Sequence, residues 1–291
     1  MGKTLIMDMN NAIHRTYWTA KNIVGLDDAV KLSNFHIYFT INAIKSYVNT
    51  YKPDKIIACW DEKPDYQRND RKDFFSDYKG NRSKDVSPHQ NNEKIKEFLY
   101  TLGIPSIFPR KLEADDVIAY LAESLEGSKV IISVDKDFLQ LINEDVIIYD
   151  PIRKKETNTT NFVENAGCEQ SHFMPIKCLT GDKSDNVPGI PKFGKVKVKK
   201  YLEGNITLTD EERLIYTRNL ELFRLDKYRD ISNRDELLYY QEQMTRATSC
   251  EPEFQQFIDL CKEHDINFII NKKEYWYNLF FVKHRLLSLF A

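Results

Sequence analysis

The stretch from Leu112 to Leu141, LEADDVIAYLAESLEGSKVIISVDKDFLQL, decides the fold. After Glu113, Asp115 and Asp116, the apolar residues Val117, Ile118, Leu121 and Leu125 recur at helical spacing. Val130 to Val134 is a short apolar run rich in β-branched residues. The spacing predicts an αβ unit with acid ahead of its helix and, at Asp135 and Asp137, behind its strand. Open parallel sheets bind ligands beyond the carboxyl ends of their strands, so these acids mark where chemistry is expected.

Upstream, Thr4 to Met7 and Lys55 to Trp60 are two further apolar runs, ending in Asp8 and Asp61. Between them Ile37, Ile41, Ile44 and Val48 form the buried stripe of a helix. The order β-α-β favours a parallel sheet with a right-handed crossover. Ile95, Phe98, Leu99 and Leu102 mark another helix, Ile104 to Phe108 a short strand and Val146 to Tyr149 a later one. The segment 62–92 has no sustained apolar period. In it Lys63, Arg68, Arg71, Lys72, Lys79, Arg82 and Lys84 oppose Asp65, Asp70, Asp73, Asp77 and Asp85, with Tyr66, Phe74, Phe75 and Tyr78 interleaved. So long an insertion is either a solvated surface loop or a functional element.

Downstream, residues 177–201 read KCLTGDKSDNVPGIPKFGKVKVKKY: acid, glycine-proline turns, then Lys192, Lys195, Lys197, Lys199 and Lys200. A glycine turn before a helix presents backbone N–H groups to a phosphate, although a basic helix is also a common solvated surface. Helices are expected through Leu214 to Leu225 and around Phe254, Phe257, Ile258 and Cys261, and the aromatic-rich end, Phe268 to Phe290, is read as packing.

At 291 residues, 42% hydrophobic and 30% charged, the chain has enough apolar material for a large core. No secretory pattern or membrane-length apolar run is visible, so a cytoplasmic protein is expected. Five cysteines without paired spacing read as reduced packing residues rather than a zinc site or disulfide scaffold. A net charge of −2 argues only weakly against nucleic acid, because an acidic cluster can offset a basic face.

Asp8, Asp61, Glu113, Asp115, Asp116, Asp135, Asp137, Asp182 and Asp185 fall at predicted strand ends, one helix start and one turn. Singly, each is as well explained as a cap or turn residue. Jointly, they crowd negative charge at one sheet edge, which a fold tolerates poorly without cations. Oxygen ligands without His or Cys favour Mg²⁺ or Mn²⁺. Glu113 and Asp115, two apart, do not share a helical face, so both reach one site only if Glu113 precedes the regular helix.

These residues resemble the 5′-nuclease family: flap endonucleases, the 5′-nuclease domain of bacterial DNA polymerase I, and above all the phage enzymes called 5′-exonuclease or ribonuclease H. The matching pieces are LIMDMNNAIHR around Asp8, ACWDEK around Asp61, YKGNR at Tyr78 to Arg82, EADD at Glu113, VDKD at Asp135 and GDKSDNVPGI at Gly181. Each is weak alone, and together they span about the first 200 residues in order. The resemblance implies an α/β, twisted, mostly parallel sheet flanked by helices, the PIN-like 5′-nuclease fold. A nuclease domain is expected over 1–176, with an arch at about 62–92, and a helical DNA-binding domain over 177–291 with a helix–hairpin–helix element at about 181–202.

By the same resemblance, Asp8, Asp61, Glu113 and Asp115 serve a first metal ion and Asp135, Asp137, Asp182 and Asp185 a second, with Asp116 between or behind them through water. The ions are two Mg²⁺, replaceable by Mn²⁺, with K⁺ at the hairpin turn. Lys79 and Arg82 act on the scissile phosphate. Arg15, Gly189, Gly194, Lys192, Lys195 and Lys197 join them in holding DNA, while Tyr66, Phe74 or Tyr78 stack on a frayed end or pack the arch. The implied activity is metal-dependent 5′-3′ exonuclease and flap cleavage of DNA or RNA–DNA hybrids during replication. The implied enzyme is a monomer in the cytoplasm, the host's if phage-encoded, and its partners include a single-strand-binding protein or clamp. The alternatives are a DNA-binding relative without turnover and a PIN-type single-strand ribonuclease.

Overall fold

The computed structural model describes residues 2–61, 70–81, 85–109, 112–227, 238–239, 241–243, 245 and 250–282. Strand β1 (Lys3–Asp8) runs into helix α1 (Met9–Val24) and then α2 (Ala29–Tyr51) before β2 (Lys55–Cys59). The short helix α3 (Asp70–Phe74), helix α4 (Asn92–Thr101) and strand β3 (Ser106–Ile107) follow. The deciding stretch forms α5 (Ala114–Ser124), β4 (Ser128–Ile132) and a 3₁₀ turn, Lys136–Leu141, leading to β5 (Val146–Asp150) and β6 (Lys155–Thr157).

The six strands lie in the order β3-β2-β1-β4-β5-β6, parallel except for β6 against β5. The chain builds outward from β1 through β2 to β3, then crosses back to place β4 on the other flank of β1. The order therefore reverses between β1 and β4, the position where α/β sheets open a ligand crevice. Helices cover both faces. One core layer joins Leu5, Met7, Ile41, Ile44 and Phe98, and the other joins Ile6, Ile57, Val117, Ile118, Ile131 and Phe138. The alternation of Leu5, Ile6 and Met7 between layers is the two-residue period of a strand buried on both sides.

Among the elements up to β6, helix α1 and the antiparallel β6 are the main ones that the apolar periodicity did not reveal. In α1 the buried residues are Met9, Ala12, Ile13, Thr16, Tyr17 and Ala20, so small and polar side chains occupy part of the core stripe and blur it.

Beyond the sheet come α6 (Phe162–Ala166), α7 (Gln170–Thr180), the hairpin strands β7 (Gly181–Asp182) and β8 (Val187–Pro188), α8 (Lys195–Leu202) and α9 (Asp210–Phe223). Leu179, Ile190, Phe193 and Val198 form their shared core, leaving Lys192, Lys195, Lys197, Lys199 and Lys200 exposed. The hairpin depends on glycine: a Cβ on Gly181, whose φ is +73°, would lie 2.2 Å from the Gly189 nitrogen, and one on Gly189 would lie 2.3 Å from Thr180 backbone atoms.

The boundary at 177 needs correction for the end of the chain. Helices Phe254–Glu263, Asn267–Ile270 and Lys273–Phe280 pack instead against the sheet domain. Phe257, Cys261, Ile269, Trp276 and Phe280 are buried in the same core layer as Leu5, Ile41 and Phe98. The aromatic residues drive this return, since a large apolar surface gains most by covering α2 and α4. Among the described residues no helix is long and apolar enough to cross a membrane.

Candidate active site

The crevice is built from strand ends. Asp8 closes β1 and pairs in register with Cys59 of β2, while Met7 pairs with Ile132 of β4. Asp8 therefore sits between the ends of both neighbouring strands. Its Oδ1 accepts from the Asn11 backbone at 3.1 Å and its Oδ2 from the Ser133 hydroxyl at 2.6 Å. That hydroxyl also accepts from the Asp135 backbone at 3.0 Å, tying the ends of β1 and β4 together. Asp61 joins from β2: its Oδ1 accepts from the Ala114 nitrogen at 2.7 Å and its Oδ2 from the Asn10 amide. Glu113 is extended, with φ −97° and ψ 162°, and stands just before α5. The condition for Glu113 and Asp115 to serve one site is met.

Charge is crowded here. Burial, opposed by the Ser133 and Asn11 hydrogen bonds but reinforced by Asp135 and Asp61, pushes the Asp8 carboxyl up to about 6. Burial and then the nearby Asp135 hold Asp115 well above the ordinary carboxylate range. Burial likewise lifts Asp137 to about 6 despite its ion pair with Lys177. At Asp182 burial pulls upward too, but hydrogen bonds from Ser184 and the Lys177 charge outweigh it and bring the group down to about 2. The two partners of Lys177 part company because Asp137 is the more deeply buried and also faces Asp135 and Asp185, whereas Asp182 sits in a turn that donates to it.

A second group of acids lies beside the first. Oxygens of Asp137, Asp182 and Asp185 fall within 4.8 Å of one another, a spacing that suits a cation. The donors are carboxylates alone, which fits a hard divalent ion such as Mg²⁺ or Mn²⁺. Like charges held this close are what a bound cation relieves.

The sequence model described as "5′-3′ exonuclease, N-terminal resolvase-like domain" matches residues 3–170. The chain belongs to the 5′-3′ exonuclease family. A 5′-3′ exonuclease of Aquifex aeolicus is 33% identical over 208 residues, covering 68% of this chain and 70% of that protein. A DNA polymerase I of Caldicellulosiruptor bescii is 29% identical over 215 residues, covering 69% of this chain and 24% of the polymerase. A crystal structure of the bacteriophage T5 flap endonuclease with DNA and metal ions superposes with a TM-score of 0.67 at 18% identity, covering 85% of this chain and 100% of that one. That likeness is one of fold, and the PIN-like nuclease sheet expected from the sequence is the sheet found.

For a member of this 5′-3′ exonuclease family, eight of the nine candidate acids lie in the two groups just described or directly beside them. Asp116 is held deeper, although it shares Arg71 with Glu113, whose Oε2 lies 3.4 Å from the same guanidinium. It is fully buried, and Arg71 donates to its two oxygens at 2.6 and 2.7 Å. Asp116 also accepts from the Glu113 nitrogen at 3.1 Å. The i, i+3 placement that put it beside Glu113 turns it inward, into a buried ion pair with Arg71.

Lys79, with φ +56°, puts its ammonium on Glu113 Oε1 at 2.8 Å. Its backbone nitrogen donates to the Asp185 carbonyl at 2.8 Å. Asn186 donates to the Asp77 carbonyl and Asn81 to that of Lys183, so the YKGN turn and the DKSDN turn interlock. Tyr78 is 3% exposed and donates to Glu113 at 3.1 Å, which removes it from the candidates for base stacking. Phe74 is 54% exposed. Arg15 donates to the Tyr47 hydroxyl at 2.9 Å, and its Nε is buried with no partner among the described residues. Arg82 and Tyr66 lie outside the described residues, as does much of the segment assigned to an arch.

Three residues escaped the sequence reading: Ser133, Arg71 and Lys177. Lys177 is visible in retrospect as a charge among Ile176, Cys178 and Leu179 on a helix that ends in the acidic turn. Nothing in the polar, mixed-charge segment 62–92 distinguishes Arg71 from its neighbours.

Proposed function

We propose that this chain is a divalent-metal-dependent, structure-specific 5′ nuclease that cleaves phosphodiesters near 5′ ends, acting both as a 5′-3′ exonuclease and on flaps. The observation that carries the reading is the meeting of acids from three strand ends, one helix start and the hairpin turn at the sheet's switch point, with Lys79 on Glu113 among them.

Asp8, Asp61, Glu113 and Asp115 would hold one Mg²⁺, and Asp137, Asp182 and Asp185 a second, with Mn²⁺ able to substitute; Asp135, which the resemblance gave to the second ion, would serve the first, because its charge bears on Asp8 and Asp115. Bound there, such ions supply electrophilic activation of water and of the phosphodiester. The chain's own residues set the stage. Asp135 and Ser133 keep the Asp8 carboxylate oriented, and Asp61 fixes the start of α5 so that Glu113 and Asp115 face the crevice. The Lys79 ammonium, held at the crevice by Glu113, is placed to receive negative charge building on the phosphate. Water adds to phosphorus and the bond to the 3′ oxygen breaks, which leaves a 5′-phosphate on the product and a 3′-hydroxyl on the released fragment.

Lys192, Lys195 and Lys197, exposed around the Gly189 to Gly194 turn and α8, grip the duplex backbone without reading bases. Binding should then be selective for structure and weaken steeply with salt. Arg15, Arg82 and an exposed aromatic such as Phe74 belong to the same reading, as do K⁺ at the hairpin turn, RNA primers or flaps as substrates, monomeric action and recruitment by a replication protein. Incubation with 5′-flap, nicked and RNA–DNA hybrid substrates in Mg²⁺ or EDTA tests it. Mg²⁺-dependent release of 5′-phosphorylated products is expected. Binding without cleavage would leave a DNA-binding relative that lacks turnover.

A further inference from the structure

Lys177 projects from α7 into the second acidic group. Its ammonium pairs with Asp137 Oδ1 and lies 3.0 Å from Asp182 Oδ2, and its side chain is 10% exposed. On another side it stands 4.5 Å from the centre of the Phe223 ring, an electron-rich face that favours a cation. Asp182 Oδ1 is already committed to its own turn, accepting from the Ser184 nitrogen at 2.8 Å and from the Ser184 hydroxyl. The Asp182 oxygen that remains for any further cation is the one that Lys177 holds. Asp137 and Asp182 are also two of the three residues whose oxygens come within one cation's reach.

We propose that Lys177 is a built-in counter-ion of the Asp137, Asp182 and Asp185 seat, and that a divalent ion enters this seat only by displacing its ammonium. This deepens the nuclease reading and rests on it. The lysine keeps three facing carboxylates from repelling one another during folding, and it makes the second seat weaker than the first. In the first group Lys79 takes up an oxygen of Glu113 at 2.8 Å, one acid of five, whereas Lys177 takes up oxygens of two acids of three.

Mn²⁺ titration by calorimetry or electron paramagnetic resonance, on the full chain without substrate, reads the competition directly. The parent should bind two ions, one tightly and one weakly. Lys177→Met should tighten the weak ion by about tenfold, equivalent to about 1.4 kcal/mol, and leave the tight one within about twofold. In EDTA the variant should melt below the parent, because two half-buried carboxylates lose their partner, and its gain in Tm on adding Mn²⁺ should exceed the parent's. Lys177→Arg should keep the parent's pattern. Lys177→Gln, which retains a polar tip, should repeat the tightening and serves if the Met variant does not fold. Second-ion affinity that is unchanged or weaker in both neutral variants would overturn the competition while leaving the nuclease reading in place. No Mn²⁺ on either parent or variant would remove both.

Discussion

Replacing Asp116 and Asp115 separately by asparagine distinguishes adjacent acids that the sequence treats alike. Asp116→Asn strips the charge from a carboxylate that is 0% exposed and paired to Arg71, itself 2% exposed. The Arg71 guanidinium also donates to the Leu222 and Arg224 carbonyls, both at 2.9 Å, so the pair ties α3 and α5 to the end of α9. Breaking one side of a buried pair typically costs about 3–5 kcal/mol, because the other charge stays buried, and the lower end is expected here since Glu113 Oε2 remains 3.4 Å from the Arg71 guanidinium. For a chain of this size that corresponds to a fall in Tm of about 10 °C. Asp115→Asn has the opposite character, since burial and the neighbouring Asp135 already disfavour its charge. Neutralising it should leave the protein at least as stable while weakening ion binding. Urea unfolding in EDTA measures both. The double variant Arg71→Met with Asp116→Asn should recover more than half the loss, because the stranded charge is gone. An Asp116→Asn protein within about 1 kcal/mol of the parent, or an equal loss from Asp115→Asn, would refute the division between structural and ion-holding acids.

Asp135→Asn keeps an oxygen to accept from the Asp137 nitrogen, a bond of 2.8 Å, so the turn should survive. Cleavage should disappear while gel-shift binding of a flap substrate persists, and parental cleavage would take Asp135 out of the site. Lys79→Ala should lower kcat by about 10²-fold and change substrate affinity far less; equal losses in both would reduce Lys79 to a tether. His36 provides the pH test. It is fully buried, bonded to the Ile13 carbonyl at 3.0 Å and to the Asn91 amide at 3.1 Å, and burial lowers its pKa to about 4. The unfolded chain takes up a proton near 6.5 that the folded one refuses, so its contribution is complete above that pH and lost as pH falls towards 4. The contribution is on the order of 3 kcal/mol. Melts of the parent and of His36→Gln should converge as pH drops from 7 to 5, and parallel curves would count against a neutral buried imidazole.

What the sequence determined by itself is the set of features written in short-range chemistry. Apolar runs ending in acid foretold β1, β2 and β4 with Asp8, Asp61 and Asp135 at their exits. Helical spacing foretold α2, α4 and α5, and the glycine-proline stretch up to Gly194 foretold turns, the hairpin itself being implied by the family resemblance. Those patterns are local, with periods of two and about 3.6 residues, and can be read without knowing what lies across the sheet. The tertiary structure decided which of two neighbouring acids faces the crevice. Asp115 and Asp116 differ by one step of rotation about α5, and only the arrival of Arg71 from 45 residues away shows that Asp116 points inward. It also decided that Lys177 shares oxygens with Asp137 and Asp182, and that the C-terminal aromatics return to the sheet. Each of these depends on a contact between segments far apart in the chain, and hydrophobic periodicity carries no information about such a partner.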